Sequence, residues 1–205
     1  MQKPERQMRK KVVAVVGSYR RGGVVDRTVE AILAGAREMG AETHTIYLSE
    51  QQIDFCTNCR QCTQQPGAER GKCARHDCLE SILTEIEAAD SLVLGAPVNY
   101  YNVTAIFRRF LERLVGYFYW PWGQNLLKQR SKAQPRKAVL VTSAGMPGLL
   151  IPLATGAPRA LRLTARMLGA RTVGSLWVGL ASGEAHPALA MRTLGRARRL
   201  GMKLA

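Results

Sequence analysis

Cysteine is absent from most of this 205-residue chain: all five fall between residues 55 and 78. Acidic residues thin out almost as sharply. From Ser91 onward only Glu112 and Glu184 are negative, against 17 Lys and Arg. No apolar run reaches the roughly 20 residues needed to cross a bilayer. The opening MQKPERQMRKK is too polar for a secretory signal. These absences predict a cytoplasmic protein with no membrane span, and a reducing compartment argues against structural disulfides. Neither G-x-x-x-x-G-K-[ST] nor G-x-G-x-x-G occurs, so the standard triphosphate and dinucleotide fingerprints are excluded. The only histidines, His44, His76 and His186, are scattered and offer no acid–base triad.

The charge that is present is lopsided. Residues 1–90 hold 13 Lys and Arg against 13 Asp and Glu, so the net charge of +15 belongs to the second half. A basic half suits a phosphorylated cofactor, an acidic redox protein or nucleic acid, and it equally suits a solvated surface. Charge alone does not choose.

Apolar patterning gives the fold class. KVVAVVGS (11–18), SLVLGAP (91–97) and KAVLVTSAG (137–145) are short, valine-rich runs of the kind buried on both faces of a parallel sheet. ETHTIYL (42–48) and TVGSLWVGLA (172–181) complete five strands. Between them 25–40, 79–89, 103–118 and 157–170 read as helices, Asp26 as the first helix's N-cap, and a last helix starts near His186. This alternation predicts one α/β domain over 1–205: a doubly wound five-stranded parallel sheet, order 2-1-3-4-5, helices on both faces. Two irregular insertions stand out, the cysteine-rich 55–78 and 119–137.

In such a sheet the ligand crevice lies beyond the carboxyl ends of the strands, where the winding reverses. The loop after the first strand, GSYRRGGVVD, has glycines for a tight turn into a helix N-terminus, a phosphate-binding geometry. Ser18 adds a hydroxyl and Arg20 a charged fork. After the third strand, GAPVNYYNVT supplies Pro97 and two rings flanked by amides, suited to a planar heterocycle. TSAGMPG after the fourth lets backbone approach such a ring.

These segments resemble the NADPH-dependent FMN reductase family of flavodoxin-like proteins, in particular its iron–sulfur flavoprotein branch. The resemblance implies that Ser18, Arg20, Gly22, Gly23, Val24 and Val25 hold the FMN phosphate. It implies that Pro97, Val98, Asn99, Tyr100, Tyr101 and Asn102 wrap the isoalloxazine ring, bordered by Ser143, Ala144 and Gly145. Tyr19 and Val24-Val25 depart from the family's proline and Asn-Thr, and Asp26 is read as facing away from the phosphate. No catalytic side chain is expected, because the flavin itself does the chemistry.

The cysteines run Cys56-x2-Cys59-x2-Cys62-x10-Cys73-x4-Cys78. Three thiolates in a compact run plus one more distant suit a 4Fe-4S cluster on Cys56, Cys59, Cys62 and Cys73. A zinc site using His76, a redox dithiol from Cys56 and Cys59, or no metal remain open. Cys78 is read as packing or capping a helix. The ten-residue spacer would bulge out as an arm while Cys73 returns, and the segment is expected beside the flavin. Trp120 and Trp122 are read as covering the flavin, a subunit contact or a packed loop.

The expected function is electron transfer from NAD(P)H through FMN to a flavin, quinone or similar acceptor. The alternative is an iron–sulfur electron carrier serving an acidic partner such as ferredoxin. The flavin loops argue against nucleic acid, and the resemblance implies a homodimer or homotetramer.

Overall fold

The computed structural model describes residues 9–184 and 187–205. Five parallel strands form one sheet in the order β2-β1-β3-β4-β5: β1 Lys11–Val16, β2 Glu42–Tyr47, β3 Ser91–Gly95, β4 Arg136–Ser143 and β5 Ala170–Val178. The order and direction are those read from the apolar runs. β1 lies between β2 and β3, with Val13 opposite both His44 and Leu92. β3 is buried throughout, whereas β2, at an edge, alternates exposed and half-buried residues until Ile46.

Alternate strand residues feed two cores, because successive side chains leave opposite faces of a strand. Val12, Ala14, Val16, Val93, Val139 and Val141 meet α1 (Val24–Glu38) and α5 (Met191–Met202). Val13, Val15, Leu92, Leu94 and Leu140 meet α2 (Leu79–Glu87), α3 (Ala105–Arg113) and α4 (Ala157–Met167). The backbones of α1 and α5 touch at two glycines. A Cβ on Gly35 would strike the Arg198 carbonyl, and one on Gly201 the Ile32 carbonyl. Among the described residues no helix is long and apolar enough to cross a membrane.

Most element ends shift by two or three residues, and three boundaries differ in kind from the sequence reading. The third helix ends at Arg113 and tightens into a 3-10 turn over Leu114–Tyr117, since Gly116 interrupts it. Its N-terminus is fixed by Thr104, whose hydroxyl accepts from the Phe107 N–H. The last helix begins at Met191; His186 lies outside the described residues. Asp26 is not the N-cap of α1, a position held by Gly23, but sits within the first turn.

Candidate functional site

Loops from the carboxyl ends of four strands converge on a cleft of about 360 Å³, a size within the small-molecule range. Ser18, Tyr19, Arg20, Gly23, Val24 and Val25 line it from β1 and the start of α1. Pro97, Val98, Asn99 and Thr104 enter from β3, Ser143, Ala144 and Gly145 from β4, and Ala181 and Ser182 from beyond β5. No side chain caps α1, so its first amides are free to meet a ligand. Arg20 is exposed, and its guanidinium has no hydrogen-bond or ion-pair partner among the described residues.

The first loop is held from behind. The Arg20 N–H donates to Ser18 Oγ at 3.1 Å, and the Gly23 N–H to the Arg20 carbonyl at 3.3 Å. Gly22, at φ +68°, adopts a backbone that favours glycine, and its N–H donates to Asp26 Oδ2 over 2.5 Å. The Tyr47 hydroxyl donates to Asp26 Oδ1 at 2.8 Å. Burial, and then Asp26, push that hydroxyl up to about 12, so it stays protonated. Asp26 therefore braces the loop from inside the helix, as a carboxylate at a third helical position can. Gly22 is accordingly removed from the ligand-facing set: its amide is taken, and it does not line the cleft.

Tyr100, Tyr101 and Asn102 are also missing from the cleft lining. Val98–Asn99 and Asn102–Val103 pair as a hairpin whose two turn residues are the tyrosines, at φ +47° and +65°. That pair of left-handed residues makes the reversal of a type I′ turn. It leaves the rings 95% and 67% exposed, edge to face at 6.1 Å. Asn102 is exposed, its Oδ1 accepting from the N–H of the next residue, Val103. Thr104, Ala181 and Ser182 escaped the sequence reading. Ser182 follows the edge strand β5, and the only signal for it was that this loop shares a rim with the one after β4.

The cysteines gather elsewhere. Cys56, Cys59, Cys62 and Cys73 line one small cavity of about 20 Å³, with Thr57, Asn58, Arg60, Arg75, Arg113 and Val115. All five thiols are free. Cys78 stands apart, packed on the core just before α2, and His76 does not line the cavity. Burial pushes the Cys62 thiol up to about 11, and Cys73, Cys56 and Cys59 push the same way. Converging thiolates repel one another. Among the described residues no group of three His, Cys, Asp or Glu side chains is placed to hold a single metal ion.

The segment is clamped by its surroundings. Asn58 and Arg60, at φ +53° and +59°, bend the chain on both sides of Cys59. Arg60 lies between Trp120 and Trp122, 3.7 and 4.1 Å from their rings, and donates to the Trp120 and Pro121 carbonyls. The tryptophans thus cover the cysteine loop, and neither lines the cleft at the carboxyl rim. The spacer packs back on itself: a Cβ on Gly71 would strike the Cys62 carbonyl, and the Cys73 N–H donates to Glu80.

Cleft and cavity share no lining residue. Thr104 borders the first and Arg113 the second, at opposite ends of α3. Nine helical steps amount to about 14 Å. The cysteine cavity therefore stands a helix length from the cleft within one chain, not against it. A larger cleft of about 690 Å³ lies where α2 ends and β4 begins, and its arginines are already committed. Arg70 pairs with Glu80 and Glu87. Arg136 donates to the Glu87, Ala89 and Leu168 carbonyls.

A family model described as NADPH-dependent FMN reductase matches residues 10–185. An iron–sulfur flavoprotein of Archaeoglobus fulgidus is 30% identical over 111 residues, 54% of this chain and 48% of that protein. The chain spans about half the length of the curated relatives it matches. Among solved structures, an NAD(P)H:quinone oxidoreductase from Methanothermobacter marburgensis superposes with a TM-score of 0.72 at 21% identity. That match covers 97% of this chain and all of the other. A flavodoxin from the domain Archaea gives 0.55 at 13% identity, over 95% of both chains. At such identities the likeness concerns the fold, which is flavodoxin-like.

Proposed function

The chain belongs to the NADPH-dependent FMN reductase family, a family of oxidoreductases, and from that premise we propose that it carries FMN in the cleft at the carboxyl rim. Electrons pass from NAD(P)H to a small acceptor such as a free flavin or a quinone. The observation that carries this reading is the meeting of Arg20, the uncapped start of α1 and the small-residue turn Ser143–Gly145 around one cleft. The residues fit the group. Arg20 and the first amides of α1 offer donors for a phosphate, while Pro97, Val98 and Ala144 give apolar surface for a ring.

Bound FMN supplies hydride and one-electron chemistry. The chain's part is to bind, orient and enclose it. Titrating the purified protein with FMN, then mixing the loaded protein anaerobically with NADH or NADPH, tests the reading. Failure to bind FMN ends it; binding without NAD(P)H oxidation leaves the carrier role below.

A second reading is favoured by the four thiols around one cavity. In it Cys56, Cys59, Cys62 and Cys73 hold a 4Fe-4S cluster, for which an all-thiolate set of four fits. Relatives named iron–sulfur flavoproteins support it. The protein then serves as an electron carrier, and its basic second half attracts an acidic partner such as ferredoxin. Anaerobic purification with iron and acid-labile sulfide assays tests this, and absence of both refutes it. The exposed Tyr100, Tyr101, Leu150 and Leu153 support assembly as a homodimer or homotetramer, to be read by sedimentation.

A further inference from the structure

Arg113 ends α3 and is among the most enclosed charges in the protein. Its side chain is 1% exposed and that of its partner Asp77 3%. Nη1 donates to Asp77 Oδ2 at 2.6 Å and to the Asp54 carbonyl at 2.7 Å. Nη2 donates to Asp77 Oδ1 and to Cys73 Sγ, both at 3.3 Å. Asp77 is itself fixed, accepting from the N–H groups of Asp54 and Leu79. Among the described residues no other side chain donates a hydrogen bond to any of the four cavity thiols.

A buried ion pair is an expensive way to pin a loop, because desolvation offsets most of its Coulomb gain. Apolar packing would serve as well. What packing cannot do is aim an oriented N–H at a sulfur. We propose that Arg113 is a positioning residue for an electron-accepting group held through Cys73, and that the Asp77–Arg113 pair sets that group's reduction potential. The inference rests on the reading that the four thiols hold an iron–sulfur cluster.

The sign follows from charge. Uptake of one electron adds one negative charge, makes and breaks no bond, and requires no proton; in the test dithionite gives the electron. Hydrogen bonds to ligand sulfur and nearby positive charge favour the more negative state and raise the potential. Arg113 therefore raises it. Asp77, which accepts from both Nη1 and Nη2 of the same guanidinium, offsets part of that charge and lowers it. The two members of one pair act in opposite directions, which a scaffold for the loop would not do.

The test is potentiometric titration of the anaerobically purified protein, followed by visible absorption and electron paramagnetic resonance. Arg113→Gln should shift the potential down, Asp77→Asn should shift it up, and FMN binding at the distant cleft reports that each variant is folded. Unchanged potentials, or two shifts in one direction, overturn the proposal. So does loss of the iron from both variants while FMN still binds, since that makes the pair a scaffold. Should Arg113→Gln lose FMN as well, Arg113→Lys keeps the charge without the two-pronged contact. A lower potential is then expected, and an unchanged one overturns the inference. Absence of iron from the unmodified protein is a separate result: it removes the cluster reading and this inference with it.

Discussion

Arg130 grips the backbone of Cys62: its Nη2 donates to the Cys62 carbonyl oxygen over 3.1 Å. The same guanidinium reaches the carbonyls of Gly116, Gln65 and Gly67. One arginine from the second insertion thus staples the first half of the spacer that precedes Cys73, and it shares the Gly116 carbonyl with the Gly71 N–H near the far end. Arg130→Ala should cost about 2 kcal/mol, the order expected for charge-assisted hydrogen bonds to carbonyls that water can partly replace. Limited proteolysis should then cut within 64–72. Arg130→Lys should rescue little, because an ammonium cannot span four acceptors as a planar fork does. A spacer as resistant as before would remove the staple.

Among the described residues the Arg20 guanidinium has no partner, and Arg20 lines the cleft. Arg20→Ala should weaken FMN binding about tenfold, or ~1.4 kcal/mol, with stability unchanged. Quenching of FMN fluorescence measures it, and equal affinity would take Arg20 out of the phosphate site.

Asp26 braces the loop after β1 through Gly22 and Tyr47. Asp26→Ala should lose about 1–2 kcal/mol of stability and weaken FMN. Asp26→Asn, which keeps an acceptor oxygen, should do less of both. If Asp26→Asn instead tightens FMN several-fold, the carboxylate faces the phosphate and repels it.

Tyr100 and Tyr101 hold a left-handed turn that bulky residues adopt at a cost of roughly 1–2 kcal/mol each. Replacing the pair by Asn-Gly, the residues this turn favours, should raise stability by about 1–2 kcal/mol in urea unfolding. FMN affinity should be unchanged, since neither ring lines the cleft. Loss of affinity would bring the rings back into the site.

Asp77 gives the pH dependence. Burial alone would raise its carboxyl, but the Arg113 hydrogen bond, with the Asp54 and Leu79 N–H groups, holds it below the usual carboxylate range. A carboxylate with a folded value below its unfolded one stabilises at neutral pH, and this is lost as pH falls through the ordinary carboxylate range toward the folded value. Acid unfolding of the wild type should be steeper there than that of Asp77→Asn. Breaking the pair from one side should cost about 3–5 kcal/mol at pH 7. Parallel acid profiles would contradict this.

Much of the fold was written locally. Valine-rich runs ended by glycine located the strands to within a few residues, because a strand buried on both faces needs a continuous apolar stretch. The cleft's framework followed from the same topology, as the loops after β1, β3 and β4 must share a rim. Contacts that depend on long-range packing were not legible. Tyr100 and Tyr101 look like ring binders in sequence, yet a two-residue reversal turns them to solvent. The basic 128–137 loop looks solvated, yet Arg130 and Arg136 end on backbone carbonyls.

The sequence by itself determined the strands of the parallel sheet, the glycine-rich turn after β1 and the crowding of all five cysteines into 55–78, since each depends on neighbours in the chain. Only the tertiary structure decided which thiols share a cavity, that Cys73 returns across a ten-residue spacer, and that the cavity stands a helix length from the cleft. The physical reason is that those arrangements are made by arginines distant in sequence. Arg113 and Arg130 reach 40 and 68 residues back to Cys73 and Cys62, and no local pattern marks an arginine as one that will be buried.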